Sequence, residues 1–282
     1  MPQIVSNYIE GYLKSKSKDS FEHKDRLYPT FASVFVNYGK YKRLEGKCLR
    51  AAFYHCIGSE SVNNKSIQEV LGEYVEDMLI NMFKDQGILS DRAVRFNIDE
   101  YNIHGKLDAI INIDSVQFGV EIKSIGGNNK WVNNQIFGSI YNKPYPKWQH
   151  LLQTIIYCYA FREKLDSGFI LLYIRRDTGE CKEFLVSIEI YNGEMYIAVD
   201  GNIDFRFKIK DILDRYKALA TYIKENKTPP KEYMKIYPKE NILSYYKLGI
   251  ISKKQLDNYY IEAFGDYCCK YCEYKDLCDK DN

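Results

Sequence analysis

Apolar residues recur at helical spacing in some stretches of this chain and alternate or run on in others. Over 66–84, Ile67, Val70, Leu71, Tyr74, Val75, Met78, Leu79, Met82 and Phe83 fall at i, i+3, i+4 and i+7, which predicts an amphipathic helix. Three β-branched segments follow, at 94–98, 103–113 and 116–122, with Asp114-Ser115 as a short turn between the last two. Residues 126–147 are rich in Gly, Asn and Pro and read as a long loop, a feature that in compact domains is often functional. A helix is predicted over 148–165 and strands over 168–175, 182–190 and 195–199, joined by Asp177-Thr178-Gly179-Glu180 and by Asn192-Gly193. A last long helix is predicted over 205–227, stopped by Pro229-Pro230, and 231–264 reads as helical or irregular. The order helix, strands, helix, strands, helix predicts an α/β fold with a mixed central sheet flanked by helices.

Composition narrows the class. The chain has 282 residues, 45% hydrophobic, enough for one large domain or one domain with appendages. Its net charge of +2 demands no particular partner. Local excess says more: residues 1–50 hold ten Lys and Arg against five Asp and Glu, and 126–150 hold Lys130, Lys143 and Lys147 with no acid. Such patches can contact phosphates. The 26 tyrosines fit either AT-rich coding or exposed rings that stack on bases. Residues 1–30 lack the apolar core of a signal peptide and no apolar run is long enough to span a membrane, so a cytoplasmic protein is expected. In that compartment eight cysteines point to metal binding or buried thiols rather than disulfides.

The candidate chemistry centres on carboxylates set into apolar strands. Asp108 follows Gly105-Lys106-Leu107, and Glu121 and Lys123 interrupt Gly119-Val120-Glu121-Ile122-Lys123. Two positions apart on a strand, Glu121 and Lys123 share a face. A charge placed in an apolar run is costly and implies a reason. Paired carboxylates can hold Mg²⁺ or Mn²⁺, and a lysine beside them can orient water or stabilise developing charge. Further on, Gln149, Gln153 and Tyr157 recur every four residues and form one polar helix stripe, while Leu151, Leu152, Ile155, Ile156 and Tyr159 occupy another face.

Gly-x-Leu-Asp108, then Val120-Glu121-Ile122-Lys123-Ser124, then Gln153 and Tyr157 in a Q-x-x-x-Y element, together resemble the RecB-like branch of the PD-(D/E)XK nuclease superfamily. The resemblance implies a restriction-endonuclease-like core, metal ligands at Asp108, Glu121 and the Ile122 carbonyl, catalytic assistance from Lys123, and orientation of substrate or metal shell by Gln153 and Tyr157. Gly72-Glu73-Tyr74-Val75-Glu76 is similar to the branch's upstream G-x-x-x-H/E element and implies Glu76 as a further ligand. Here Glu stands where iron–sulfur members usually carry His, and Glu73 and Asp77 compete for the role.

Cysteine spacing extends the comparison. Cys269, Cys272 and Cys278 form C-x2-C-x5-C near the C-terminus, and Cys48 lies far upstream. Zinc or an iron–sulfur cluster could use these thiolates, although zinc ribbons usually supply two close pairs. One cysteine before the nuclease motifs and three after them resemble the CRISPR-associated spacer-acquisition exonucleases and AddB-type nuclease modules. That implies a structural [4Fe-4S] cluster on Cys48, Cys269, Cys272 and Cys278, clasping the two ends of the chain. Cys56, Cys158 and Cys181 read as small buried residues, and Cys268 neighbours the motif without fitting its register. The implied organisation is 1–65 helical and basic with the first cysteine, 66–200 nuclease core, and 201–282 helical with the three-cysteine motif. The stretch before the cluster, 232–264, is longer than the family's and would pack on the clasp or meet a partner.

The implied activity is metal-dependent hydrolysis of DNA, chiefly as a single-strand exonuclease with 5′ to 3′ favoured. DNA with single-stranded ends is the expected partner, with an integrase or recombination protein as a possible second. Arg50, Lys130 and Lys147, with Trp131 and Trp148, are candidates to hold a strand by charge and stacking, while core or loop packing is the favoured reading of either Trp. The alternative is an end-binding or scaffolding module of the same fold that cuts weakly or not at all.

Overall fold

The computed structural model describes residues 26–59, 66–126, 130–139, 143–165 and 168–281. Expectations placed on residues 1–25 and on the side chains of Lys130 and Trp131 lie outside the described residues.

Among the described residues, the first strands form a hairpin, β1 (Ser33–Tyr38) and β2 (Tyr41–Gly46), followed by helix α1 (Leu49–Cys56). Helix α2 (Ile67–Asp85) starts where Ser66 and Glu69 form a reciprocal capping box. Strands β3 (Leu89–Ile98), β4 (Ile103–Ile113) and β5 (Val116–Ile125) come next. Helices α3 (Lys130–Phe137) and α4 (Trp148–Phe161) then lead to β6 (Phe169–Arg175), β7 (Cys181–Tyr191), β8 (Glu194–Val199) and β9 (Asn202–Lys208). The chain ends with α5 (Ile209–Lys224), α6 (Ile242–Lys247), α7 (Lys253–Tyr259), α8 (Tyr267–Lys270) and α9 (Lys275–Lys280).

Strands β3 to β9 form one seven-stranded mixed sheet in chain order. Every neighbouring pair is antiparallel except β5 and β6, which are parallel from Gly119↔Phe169 to Ile125↔Arg175. A parallel pair needs a crossover, and α3 with α4 supplies it. Helix α4 is buried on nearly every side, with Leu151, Leu152, Ile155 and Ile156 fully inside the main core. On another face of the sheet, Leu79 and Ile80 of α2 pack against Ala109, Ile111, Val120, Ile122 and Ile174. The mixed α/β sheet flanked by helices is therefore as predicted.

Several boundaries differ. The stretch 126–147 contains α3, so it is not a continuous loop. The helix predicted over 205–227 starts at Ile209, because Asp200 and Gly201, both at positive φ, turn the chain back into β9. Two residues at positive φ match a type I′ hairpin turn, and Asp114-Ser115 and Asn192-Gly193 use the same solution. The sheet thus runs past residue 200 to Lys208. The apolar stripe of α2 is only half used: Ile67, Leu71, Tyr74, Met78 and Met82 remain exposed, while Val75, Leu79, Ile80 and Phe83 pack on the sheet. At Gly119 a Cβ would sit 2.1 Å from the Phe169 ring, so glycine there lets β5 and β6 close. No described helix is long and apolar enough to cross a membrane.

The C-terminal segment folds back onto the N-terminal hairpin. Tyr237, Ile242, Tyr245, Ile251, Leu256 and Tyr259 build a small aromatic core that includes Tyr41 of β2. Beside it, Arg215 of α5 donates from Nη2 to both carboxylate oxygens of Glu232 (2.8 and 2.9 Å), and Glu232 accepts from the Leu49 N–H at 2.7 Å. The stretch 232–264 therefore packs beside the segment that carries Cys48.

Candidate active site

The β4–β5 ladder ends at Ala109↔Val120. One residue further, Asp108 Oδ2 accepts the Ile122 N–H at 2.8 Å, so a side chain takes over where the ladder stops. N–H and C=O of one residue leave a strand by the same edge, which directs the Ile122 carbonyl towards the Asp108 side. Residues Val120 and Ile122 face α2, and the alternation of the strand turns Glu121 and Lys123 towards α4.

Asp108 is 9% exposed and Glu121 1% exposed. Glu121 Oε1 takes Lys123 Nζ at 2.5 Å and Gln153 Nε2 at 2.8 Å. The same Gln153 nitrogen lies 2.8 Å from the Tyr157 hydroxyl. Glu121 Oε2 is buried with no hydrogen-bond partner among the described residues. Orphaned buried oxygens are rare in native folds, and an unrecorded water or ion is a standard reason for one.

The electrostatics follow. Burial, then the neighbouring Glu121, pushes the Asp108 carboxyl up to about 7, against the pull of the Ile122 N–H and of Lys123 and Lys106. Burial opposes the charge on Lys123, yet the Glu121 carboxylate outweighs it and holds the ammonium above its ordinary value. Burial and then Asp108 raise the Glu76 carboxyl on α2, with Lys106 and Lys123 drawing it down. Glu76 therefore borders this cluster, whereas the competing Asp77 is exposed and pairs with Arg92. Tyr157 is raised well above its ordinary value by burial and by Glu121.

His150, one helical turn before Gln153, had no sequence-level signal beyond its place on the same stripe. Its Nδ1 lies 3.1 Å from the Tyr173 hydroxyl, which also accepts the Lys147 N–H at 3.1 Å. Burial, with Lys123 and Lys147 nearby, holds the imidazole well below its ordinary value and thus neutral.

A cavity of 610 Å³ joins this cluster to the cysteines. Lys123, Gln149, His150 and Gln153 line it, as do Cys48, Cys269, Cys272 and Cys278. Burial, then Asp266 and the other three thiols, pushes Cys269 up to about 12. Side chains tie the two ends of the chain together around these sulfurs. Lys47 pairs with Glu273 at 3.0 Å, Tyr54 donates to Asp281 Oδ2 at 2.8 Å, and Tyr274 lies 3.4 Å from His55 Nδ1. Among the described residues no group of three or more His, Cys, Asp or Glu side chains is placed to hold a metal ion.

Two expectations, on Arg50 and Cys181, need correction. Arg50 does not face a strand: it is buried, donating from Nε to the Pro229 carbonyl (2.6 Å) and from Nη1 to the Asp281 carbonyl (2.8 Å), with Cys278 Sγ at 3.8 Å. Trp148 stacks on Tyr38 and meets Phe207 edge-on, with the Arg206 guanidinium 4.8 Å from its ring, in keeping with the packing reading. Cys56 and Cys158 are buried, but Cys181 is exposed at the start of β7.

No family model and no curated protein matches the chain. Among solved structures, a crystal structure of SSO0001 is similar at a TM-score of 0.47 and 18% identity, covering 96% of each chain. A likeness at that level carries no functional argument.

Proposed function

We propose that this protein is a divalent-metal-dependent deoxyribonuclease of the RecB-like PD-(D/E)XK type. The observation that carries the reading is the buried Asp108–Glu121 pair, in which Glu121 Oε1 is held by Lys123 and Gln153 while Oε2 has no partner. That donor set fits Mg²⁺ or Mn²⁺: hard carboxylate oxygens, one of them unsatisfied, with the Ile122 carbonyl on the same edge and Glu76 at the margin. When bound, such an ion supplies an activated water and offsets charge on the scissile phosphate.

The protein's own groups do the rest. Gln153 fixes the rotamer of Glu121, and Tyr157 fixes Gln153. Lys123 stays protonated at neutral pH and can donate to the attacking water or to a phosphate oxygen. Asp108 is held in register by the Ile122 N–H. Cys48, Cys269, Cys272 and Cys278 do not converge into a ligand group, but they line one cavity with the chain segments bonded around it, and with the C-x2-C-x5-C spacing this supports a structural [4Fe-4S] clasp on these four thiols.

The test is anaerobic purification with iron and visible absorbance measured, then digestion of 5′- and 3′-labelled single strands in Mg²⁺, Mn²⁺ or EDTA. Metal-dependent degradation that Asp108→Ala abolishes supports the reading, and the label order gives polarity. Binding of ends with no cutting under any metal would overturn it in favour of an end-binding module.

A further inference from the structure

The mouth of the 610 Å³ cavity carries two tyrosines that the proposed chemistry leaves unused. Tyr267 and Tyr271 are 72% and 60% exposed. They sit one helical turn apart, with ring centroids 4.3 Å apart and planes inclined by 38°. Singly exposed rings need no explanation, but two gathered in contact at the mouth of a cavity mark a candidate interaction site.

The surroundings say which partner. The cavity is lined by Lys123, Lys231 and Lys275, besides Lys47 and Lys235, which pair with Glu273 and Asp279. Lys231 and Lys275 lie in the same lining as the tyrosines, and Lys270 Nζ is 5.8 Å from the Tyr271 ring. Cations interleaved with open aromatic faces suit an anionic chain that carries stackable rings. A single strand can turn unstacked bases onto such rings, whereas a duplex keeps its bases stacked inside. Lys123 and Gln153, which both contact Glu121, line the same cavity, so a strand entering past the tyrosines approaches these two side chains.

We propose that Tyr267 and Tyr271 form a base-stacking platform for single-stranded nucleic acid, feeding its end towards Lys123. The site deepens the nuclease reading and rests on it for direction, but its binding can be measured without cleavage.

The experiment uses the full chain in EDTA and fluorescence anisotropy with two labelled strands of equal length, oligo-dT and its fully abasic counterpart. Tyr267→Ala with Tyr271→Ala is expected to weaken oligo-dT binding by roughly ten-fold or more. The abasic strand should bind the variant as it binds the native protein, and the corresponding double Phe variant should bind oligo-dT like the native protein. Equal losses on both strands, or no loss on oligo-dT, would overturn the platform. Because α8 also carries Cys269, the native protein is tested in parallel with a strand containing 5-iodouracil: photocrosslinks mapping to Tyr267 or Tyr271 support the site, and crosslinks mapping only elsewhere overturn it. Stacking-dependent binding without metal-dependent cleavage would sink the nuclease reading and leave the platform standing. Cleavage that the tyrosine variants leave untouched would do the reverse.

Discussion

Replacing Asp108 by Asn should make the metal-free protein more stable at pH 8, although the residue is a proposed metal ligand. The fold holds this carboxyl out of water beside Glu121, and its folded value is about 7 against an ordinary 3.8. The sign follows from proton linkage. Between those two values the folded protein keeps a proton that the unfolded chain has lost, so stability is greatest at low pH and falls as pH rises through the window. Three pH units correspond to about 4 kcal/mol, an upper figure because Asp108 and Glu121 share one buried charge environment. Roughly 2–3 kcal/mol of that should develop between pH 5 and pH 8. Asn keeps an oxygen that can accept the Ile122 N–H and has no proton to lose. Neutral, buried His150 pulls the other way, since stability is lost as pH falls below its ordinary value. That effect is common to both proteins and cancels in their difference. The assay is urea unfolding in EDTA at pH 5, 6, 7 and 8. The expected result is an Asn variant that gains steadily on the native protein as pH rises. A variant that is less stable at pH 8, or a difference that is flat with pH, would refute the claim that Asp108 is held desolvated. Added Mg²⁺ should stabilise the native protein at pH 8 and leave the variant nearly unmoved, by mass action on the folded state alone.

Other expectations follow from single contacts. Lys123→Ala should lower the initial rate of strand cleavage by at least about 100-fold, read on labelled oligonucleotides, because the donor beside Glu121 is gone. Arg215→Ala should cost about 3–5 kcal/mol in urea unfolding, since it leaves Glu232 buried with its charge opposed only by the Leu49 N–H. Cys48→Ser should reduce iron per chain and lower the thermal midpoint, while Cys56→Ser, whose sulfur lies 3.8 Å from the Arg26 carbonyl, should leave iron content unchanged.

The sheet was readable where one periodicity ruled. Residues 103–113 and 116–122 are β-branched around a turn, and the chain has no competing helical pattern there. Strand β9 was misread for a local reason. Ile203, Phe205 and Phe207 alternate, but the helical stripe of Ile209, Ile212, Leu213, Tyr216 and Leu219 follows without a break and absorbs them. The Asp200-Gly201 pair was the deciding signal, as Asp-Gly between apolar runs marks a two-residue hairpin. Helix α3 was hidden for the opposite reason: Asn133 and Asn134 beside glycine-rich flanks look like loop, and tertiary packing of Ile136 in the main core overrides their weak propensity.

The candidate site divides along the same line between local and long-range information. Charges that break an apolar strand announce themselves, so Asp108, Glu121 and Lys123 could be singled out by type and spacing, and the helical repeat of Gln153 and Tyr157 set them on one stripe. What one dimension does not contain is which atom goes unsatisfied. The two oxygens of Glu121 are equivalent in sequence, and Lys123 together with the approach of α4 satisfies one and leaves the other bare. Arg50 shows the converse. In sequence it is a cation beside a cysteine and invites a phosphate, whereas the fold spends its donors on the Pro229 and Asp281 carbonyls, closing the chain's two ends around the thiols. Buried arginines of this kind satisfy orphaned backbone acceptors. Among the described residues, Lys231 and Lys275 of the C-terminal segment line the cavity and can meet a strand.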